Sequence, residues 1–323
     1  MEKEVQDIII LNLSGAATKI AGLAGVADYL YNVLGYRPTD ITGISSGALL
    51  TVGIAMRKWD VLRDFTQSFT LDDIFDRKPV NKKNKITLNA KIRAIIGKPS
   101  LGTQGNLYKT LRKVITPEDF KRYQEGDFPN CWIGSVDVKT GARFICNVKE
   151  SKYSYDDYLH IVIASTSIPL AVEPVLYKDM ILFDGGIRNH ILSAWALEYY
   201  GPRVKETISV FSRPEEYHGI LDRDWEARNI INVFERYNDI TVIEISKRDE
   251  REEKLQLALM KKDKHKIKNA QVFIPSIIKE LYDTDPTKLR KLYSAGFKAA
   301  ANKLGDWWLL TVKVWWCFTL LPY

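Results

Sequence analysis

Residues 38–58 constrain this chain more than any other stretch. A short apolar strand signal, "TDITG", runs through Gly43-Ile44-Ser45-Ser46-Gly47 into "SGALLTVGIAMRK", a helical pattern apolar on almost every side. A helix without a polar face is buried all round. Two glycines flanking a serine at a strand-to-helix junction supply the small residues a strained turn needs. Upstream, "DIIILNLSG" is a continuous apolar run ending in turn residues, as in a strand covered on both faces. Between these strands Ile20, Leu23, Ala24, Ala27, Leu30, Tyr31 and Leu34 keep helical spacing, and Gly35 stands where that helix stops. Strand, helix, strand, tight turn, helix is the beginning of a mainly parallel sheet with covering helices, an α/β fold.

The remainder extends that plan. Residues 60–128 are mostly helical in pattern and read as an insertion or cap over the sheet. "CWIGSVDVKTGARFICNV" is a hairpin turning at Lys139-Thr140-Gly141, and "MILFDGG" and "ETISVFS" are further strands. Residues 225–246 and 287–304 are predicted helices, and "SKRDEREEKLQLALMKKDKHKIK" (246–268) is an exposed helix laced with ion pairs. No Pro/Gly/Ser-rich linker divides the 323 residues, so residues 5–304 are expected to form one domain. The tail, 305–323, holds four of the eight tryptophans; it either packs on the domain or anchors at a lipid interface. The opening "MEKEVQDIII" is acidic ahead of a short apolar run and lacks the pattern of a secretory signal. The three cysteines, Cys131, Cys146 and Cys317, match no zinc spacing and read as reduced, buried thiols, which points to a cytoplasmic protein.

The formal charge of +7 is unevenly spread: "RKPVNKKNKITLNAKIRAIIGK" (77–98) holds eight Lys or Arg and no acid. Such a run is either a solvated face or a surface for peripheral contact with an anionic membrane. Without aromatic residues to stack on bases, it does not suit nucleic acid.

A chain this long is expected to contain roughly 0.1 G-x-S-x-G matches by chance, so the context of Ser45 matters more than the string. A serine nucleophile needs a base. His160 lies in an apolar helical run, His218 follows a loop and His265 sits in the charged tract, all poor candidates. A better partner is Asp184, which ends the apolar strand "ILFD" ahead of Gly185-Gly186 and so belongs at the C-terminal edge of the sheet, where α/β sites gather.

Taken together, Gly43-Ile44-Ser45-Ser46-Gly47 and Asp184-Gly185-Gly186 resemble the patatin-like phospholipases, relatives of cytosolic phospholipase A. "ASTSIPLAVEPVLYKDMILFDGGIRNHILSAWALEYYG" (164–201), "SVDVKTGARF" and "FIPSIIKELYDTDPTKLRKLYSAGFKAA" are similar to family stretches, so the likeness covers most of the chain. The resemblance implies a three-layer α/β/α fold, a Ser45–Asp184 dyad that works without histidine, and an acyl-enzyme on the way to hydrolysis of a lipid ester. It implies no metal and no other cofactor. The family's glycine-rich oxyanion loop, Gly-Gly-Gly-x-Lys/Arg-Gly, corresponds here to "GAATKI": Gly15 and Lys19 match, while Ala16, Ala17 and Ile20 replace glycines. The N–H groups of Gly15, Ala16 and Ala17 are the oxyanion donors the resemblance implies. Alanine suits that role at negative φ and is strained at positive φ. Two other readings stand beside the hydrolase: a lipid-binding or effector protein without catalysis on the same fold, and a Ser-His-Asp esterase using His218 or His265.

Overall fold

The computed structural model describes residues 7–81, 85–216, 226–227, 229–278 and 281–318, with side chains described as far as residue 305. β1 (Ile8–Leu13), α1 (Ile20–Asp28), β2 (Asp40–Ile44) and α2 (Ser46–Ala55) form the opening unit the sequence leads one to expect. α1 continues through a wider turn at Tyr29–Val33, and Gly35, at φ +64°, closes it. The predicted cap consists of α3 (Trp59–Ser68), α4 (Leu71–Ile74), α5 (Leu88–Ile95), α6 (Gly105–Val114) and α7 (Pro117–Glu125). The hairpin strands β3 (Asn130–Asp137) and β4 (Ala142–Asn147) follow, then α8 (Tyr155–Ser165), β5 (Val175–Tyr177) and β6 (Met180–Asp184). The chain continues through α9 (Ser193–Tyr200), β7 (Val204–Phe211), α10 (Ile230–Lys262), β8 (Lys268–Phe273) and α11 (Pro286–Phe318).

These strands form one eight-stranded sheet in the order β5-β6-β3-β2-β1-β7-β8, with β4 also paired to β3. β3, β2, β1, β7 and β8 run parallel, while β4, β6 and β5 add antiparallel pairs. The main apolar core lies between one face of the sheet and α1, α2, α3, α8 and α11. A smaller one, holding Ile8, Ile10, Trp132, Leu197 and Leu257, lies on the other face under α9 and α10. Helices on both faces make the three layers expected of a mainly parallel sheet.

One pairing detail builds the site. β2 runs along β3 as far as Ile44 opposite Gly134. β6 arrives from the opposite direction and places Asp184 opposite Ser135, the next residue of β3. β4 covers the other edge of β3 at these positions. The end of β2 and the end of β6 therefore meet head to head, and the residue after Ile44 is Ser45.

The structure departs from the sequence reading in three places. β5 and β8 were not expected: β5 is three residues long, and β8 begins in a lysine-rich stretch without clear alternation and pairs with β7 alone among the described strands. The tract from 246 belongs to a single 33-residue helix, α10, with ion pairs such as Arg248–Glu252 and Lys254–Glu250. It is not simply exposed, since Ser246, Asp249 and Glu253 are buried against the sheet layer. α11 runs without a break from the domain past Leu304 to Phe318. The side chains of the Trp-rich tail, Cys317 among them, and all of His218 lie outside the described residues. Cys131 and Cys146 are free and buried, and burial pushes both thiols up to about 12. Among the described residues no helix is long and apolar enough to cross a membrane.

Candidate active site

Ser45 occupies the turn between β2 and α2 at φ +54°, ψ −126°, a conformation that L-residues rarely adopt. The neighbouring glycines make the turn possible. A Cβ on Gly43 would lie 2.7 Å from the Ala48 nitrogen, and one on Gly47 2.6 Å from the Leu13 carbonyl oxygen. Ser45 N–H donates to Ser165 Oγ at 2.9 Å, and Ser165 Oγ donates to the Gly134 carbonyl at 2.7 Å. This ties the turn to β3 and α8 and leaves the Ser45 hydroxyl turned to a cavity at the positive end of α2.

Asp184 is buried at the end of β6. Its Oδ1 accepts the Gly186 N–H at 2.7 Å, and the Ser45 side chain lies near enough to favour the ionised form. Burial raises its pKa to about 7, with the Ser45 side chain and the Gly186 N–H pulling the other way. Gly185 admits no side chain, because a Cβ there would lie 2.6 Å from the Gly134 carbonyl oxygen. The Asp-Gly-Gly string is thus a close backbone contact with β3 as well as a turn.

The oxyanion loop departs from expectation. Gly15 N–H is taken by the His190 carbonyl at 2.8 Å, so this glycine is not available as the donor the resemblance implied. Ala16 sits at φ −149° and Ala17 at φ +46°, in the left-handed region where alanine is strained. The helix-entry conformation with negative φ holds at Ala16 and fails at Ala17. Ala17 opens a short 3-10 turn, Ala17–Lys19, and its N–H precedes the turn's first hydrogen bond, Lys19 N–H to the Ala16 carbonyl at 2.8 Å.

Reading the sequence missed His190, the one histidine beside the site among the described residues. A Cβ added to Gly15 would lie 3.2 Å from the His190 ring and 3.4 Å from Ser45 Cβ. His190 Nε2 is 3.2 Å from Ser212 Oγ, whose own hydrogen goes to the Gly15 carbonyl, which assigns the ring proton to Nε2. Burial, and then the charges of Lys19 and Arg213, lower the His190 pKa to about 3. The imidazole is therefore a neutral brace for the loop at residues 15–17. Of the other histidines, His160 is hydrogen-bonded to Asp156 O on α8 and His265 follows α10; neither lines the Ser45 cavity. Asp249, also unforeseen, accepts from Asn189 Nδ2 at 3.0 Å and from the N–H groups of His190 and Ile191. The signal was present as an acid inside a charged tract, but tract composition hid its position on the buried side of α10.

Ser45 stands where two lobes of cavity meet. One, of about 90 Å³, is apolar, with Phe65, Phe69, Phe75, Leu107 and Val172 in its wall. The other, of about 390 Å³, is lined by residues 15–19, Asp184, His190, Tyr237 and Asp239. Lys19 in the second lobe is pushed down by burial and up by the Asp239 charge.

A buried serine in a strained turn, a carboxylate at the meeting point of β2 and β6 and a two-sided cavity are accompanied by a match to a family model. Residues 11–195, more than half the chain, match the model for patatin-like phospholipase. The chain belongs to the patatin-like phospholipase family. Its fold is similar to that in the crystal structure of VipD from Legionella pneumophila, with a TM-score of 0.50 at 12% identity over 93% of this chain and 67% of that one. At that identity the likeness concerns the fold alone. No curated protein sequence matches. The matched span contains both Ser45 and Asp184 and ends inside α9, so β7, β8, α10 and α11 are elaborated beyond it.

Proposed function

We propose that this patatin-like chain is a lipid acyl hydrolase in which Ser45 is the nucleophile and Asp184 its base. Membership of the family supports lipid acyl hydrolysis in general. The observation that supports the finer reading is the placing of a serine at φ +54° beside a buried carboxylate raised to about 7, where the ends of β2 and β6 meet. Near neutral pH such a base is partly ionised and strong enough to take a hydroxyl proton in the transition state.

Ser45 Oγ attacks the ester carbonyl while Asp184 takes its proton. The tetrahedral oxyanion is stabilised by the N–H groups of Ala16 and Ala17 and by the positive end of α2. Protonated Asp184 then gives its proton to the departing alcohol, leaving an acyl ester on Ser45. Water, deprotonated by Asp184, cleaves that ester and restores the serine. The acyl chain occupies the apolar lobe and the alcohol side of the substrate the larger, polar one. No step calls for a metal or another cofactor. The surface at which the protein meets its lipid is a peripheral one.

Hydrolysis of a short-chain p-nitrophenyl ester and of a phospholipid, with Ser45→Ala and Asp184→Asn beside the parent, tests this. Activity in the parent and its loss in both variants is the expected result, with an acyl adduct on Ser45 by mass spectrometry. Activity that survives both substitutions would remove the dyad, and a parent inert on every ester that still binds lipid would make this a binding protein.

A further inference from the structure

One region of the cap is built unlike a protein interior and unlike an ordinary surface. On α5, Leu88, Ile92 and Ile95 lie at i, i+4 and i+7, with Ile96 directly after the helix. They are 74%, 49%, 83% and 60% exposed. The opposite side of the helix is the buried one: Ala90 is covered, and Arg93 reaches the Ser100 carbonyl at 3.1 Å and Glu173 at 2.5 Å. An isolated exposed isoleucine needs no explanation, but four large aliphatic residues in one stripe form a contact surface.

The surroundings of the stripe indicate what it meets. Lys85, Lys91 and Lys98 are exposed around it, and no carboxylate occurs anywhere between residues 77 and 98. The patch is also joined to the mouth of the active site. Leu101 N–H donates to the Leu170 carbonyl at 2.8 Å, and Arg93 clasps Glu173 three residues further on. Leu170 is itself 60% exposed, at φ +67°, and lines the larger lobe beside Ser45. A second exposed apolar stripe, Ile230, Val233, Tyr237 and Ile240 on α10, has Glu235 and Asp239 within it and does not match an anionic surface in the same way.

We infer that the α5 stripe, with Leu170, is the face by which this protein docks on an anionic lipid bilayer. The aliphatic side chains enter the acyl boundary, the three lysines lie at the headgroups, and the mouth of the Ser45 cavity is held against the membrane. An apolar stripe bordered by lysine is the composition of an interfacial helix, and each lysine close to an anionic surface adds an attraction worth about fivefold in affinity. This inference depends on the hydrolase reading only for its purpose, not for its test.

The experiment is co-sedimentation of the full chain with phosphatidylcholine vesicles with and without phosphatidylglycerol, using Ile92→Asp/Ile95→Asp and Lys91→Glu/Lys98→Glu. The parent is expected to bind the anionic vesicles, and binding should weaken as salt is raised. The isoleucine pair should lower affinity by about a hundredfold, the lysine pair by at least about twentyfold. Both variants should hydrolyse a soluble short-chain ester at the parent rate, a readout that reports on the dyad and not on docking. Anionic-vesicle binding unchanged in both variants overturns the inference. So does a stable dimer in light scattering that Ile92→Asp/Ile95→Asp dissociates, since the stripe would then be covered by a second copy of the chain.

Discussion

Two aspartates, Asp184 and Asp249, flank the same short loop and are both buried, yet they are equipped for opposite tasks. Asp184 at the head of the loop has one backbone N–H, from Gly186, and the Ser45 side chain. Asp249 at its far end has two backbone N–H groups, the Asn189 amide and the Arg248 guanidinium. Burial pushes both pKa values up, but the charge and donors around Asp249 oppose it from every side, while Asp184 rises to about 7. Removing water from a carboxylate produces a base only where the protein leaves hydrogen-bonding capacity open for the reactant. Where that capacity is filled, the same burial produces a clamp.

The largest expected effect breaks the reactive half of the comparison. Asp184→Asn keeps the shape and the Gly186 contact but removes the carboxylate proposed as base, and kcat on a phospholipid or p-nitrophenyl ester should fall by about 10³–10⁴. Circular dichroism should show an unchanged fold. A fall of less than tenfold would mean that another group removes the Ser45 proton.

Next in size is the loss of the clamp. Asp249→Ala strips buried N–H groups of His190 and Ile191 of their acceptor, at about 1–3 kcal/mol for each group left unpaired. Urea unfolding should show destabilisation of about 3 kcal/mol. Because the His190 carbonyl holds Gly15 N–H, turnover should also fall, by about tenfold to a hundredfold, with the pH of half-maximal kcat unchanged. A shifted pH midpoint would make Asp249 part of the proton pathway and would erase the distinction between the two acids.

The pH dependence follows from the raised pKa of Asp184. The proposed mechanism needs the ionised form, so kcat should climb with pH through a midpoint near 7. Stability runs the other way. The folded pKa lies above the unfolded value, so this group's contribution is fully present below about 4 and is lost as pH rises to about 7. Asp184→Asn should therefore raise the melting temperature at pH 8 and leave it nearly unchanged at pH 4. A parent and variant with the same difference at both pH values would show that burial does not raise this carboxyl.

Much of the geometry around Ser45 and Asp184 was legible in the sequence because it is written in local strings. Gly43, Gly47 and Gly185 are glycines since backbone atoms lie against them, and such close approaches appear in a sequence as glycine. The strands β1, β2 and β3 were legible for a similar reason, being largely buried, and β6 by its apolar run. What could not be read is long-range. Nothing around residue 249 reveals that one acid of a charged tract turns inward to meet a loop 58 residues earlier in the chain. Nothing around Gly15 announces that its N–H is taken by His190, or that Ala17 adopts φ +46° without glycine. Helical periodicity reported the ion-paired side of α10 and was silent on Asp249 and Glu253, because a buried acid looks like an exposed one until its partners are known.

The smallest expected effect concerns His190, whose backbone Asp249 holds and whose ring neighbours Ser45. A glutamine there can keep a side-chain N–H pointing to Ser212 Oγ, the bond that steadies the Gly15 carbonyl. If the ring is a neutral brace, His190→Gln should change kcat by no more than about threefold, below the 10²–10⁴ attached to a general base. The rising limb of the pH profile should stay near 7, since its origin is Asp184. In a Ser-His-Asp esterase the same substitution would remove the base and match Asp184→Asn in size. Here the histidine carries its only proton toward Ser212, is held neutral by burial and by the charges of Lys19 and Arg213, and has Asp249 on its backbone, not on its ring. Those three features are the reverse of what orients and charges a catalytic imidazole, and the ratio of the two variants' rates measures the difference directly.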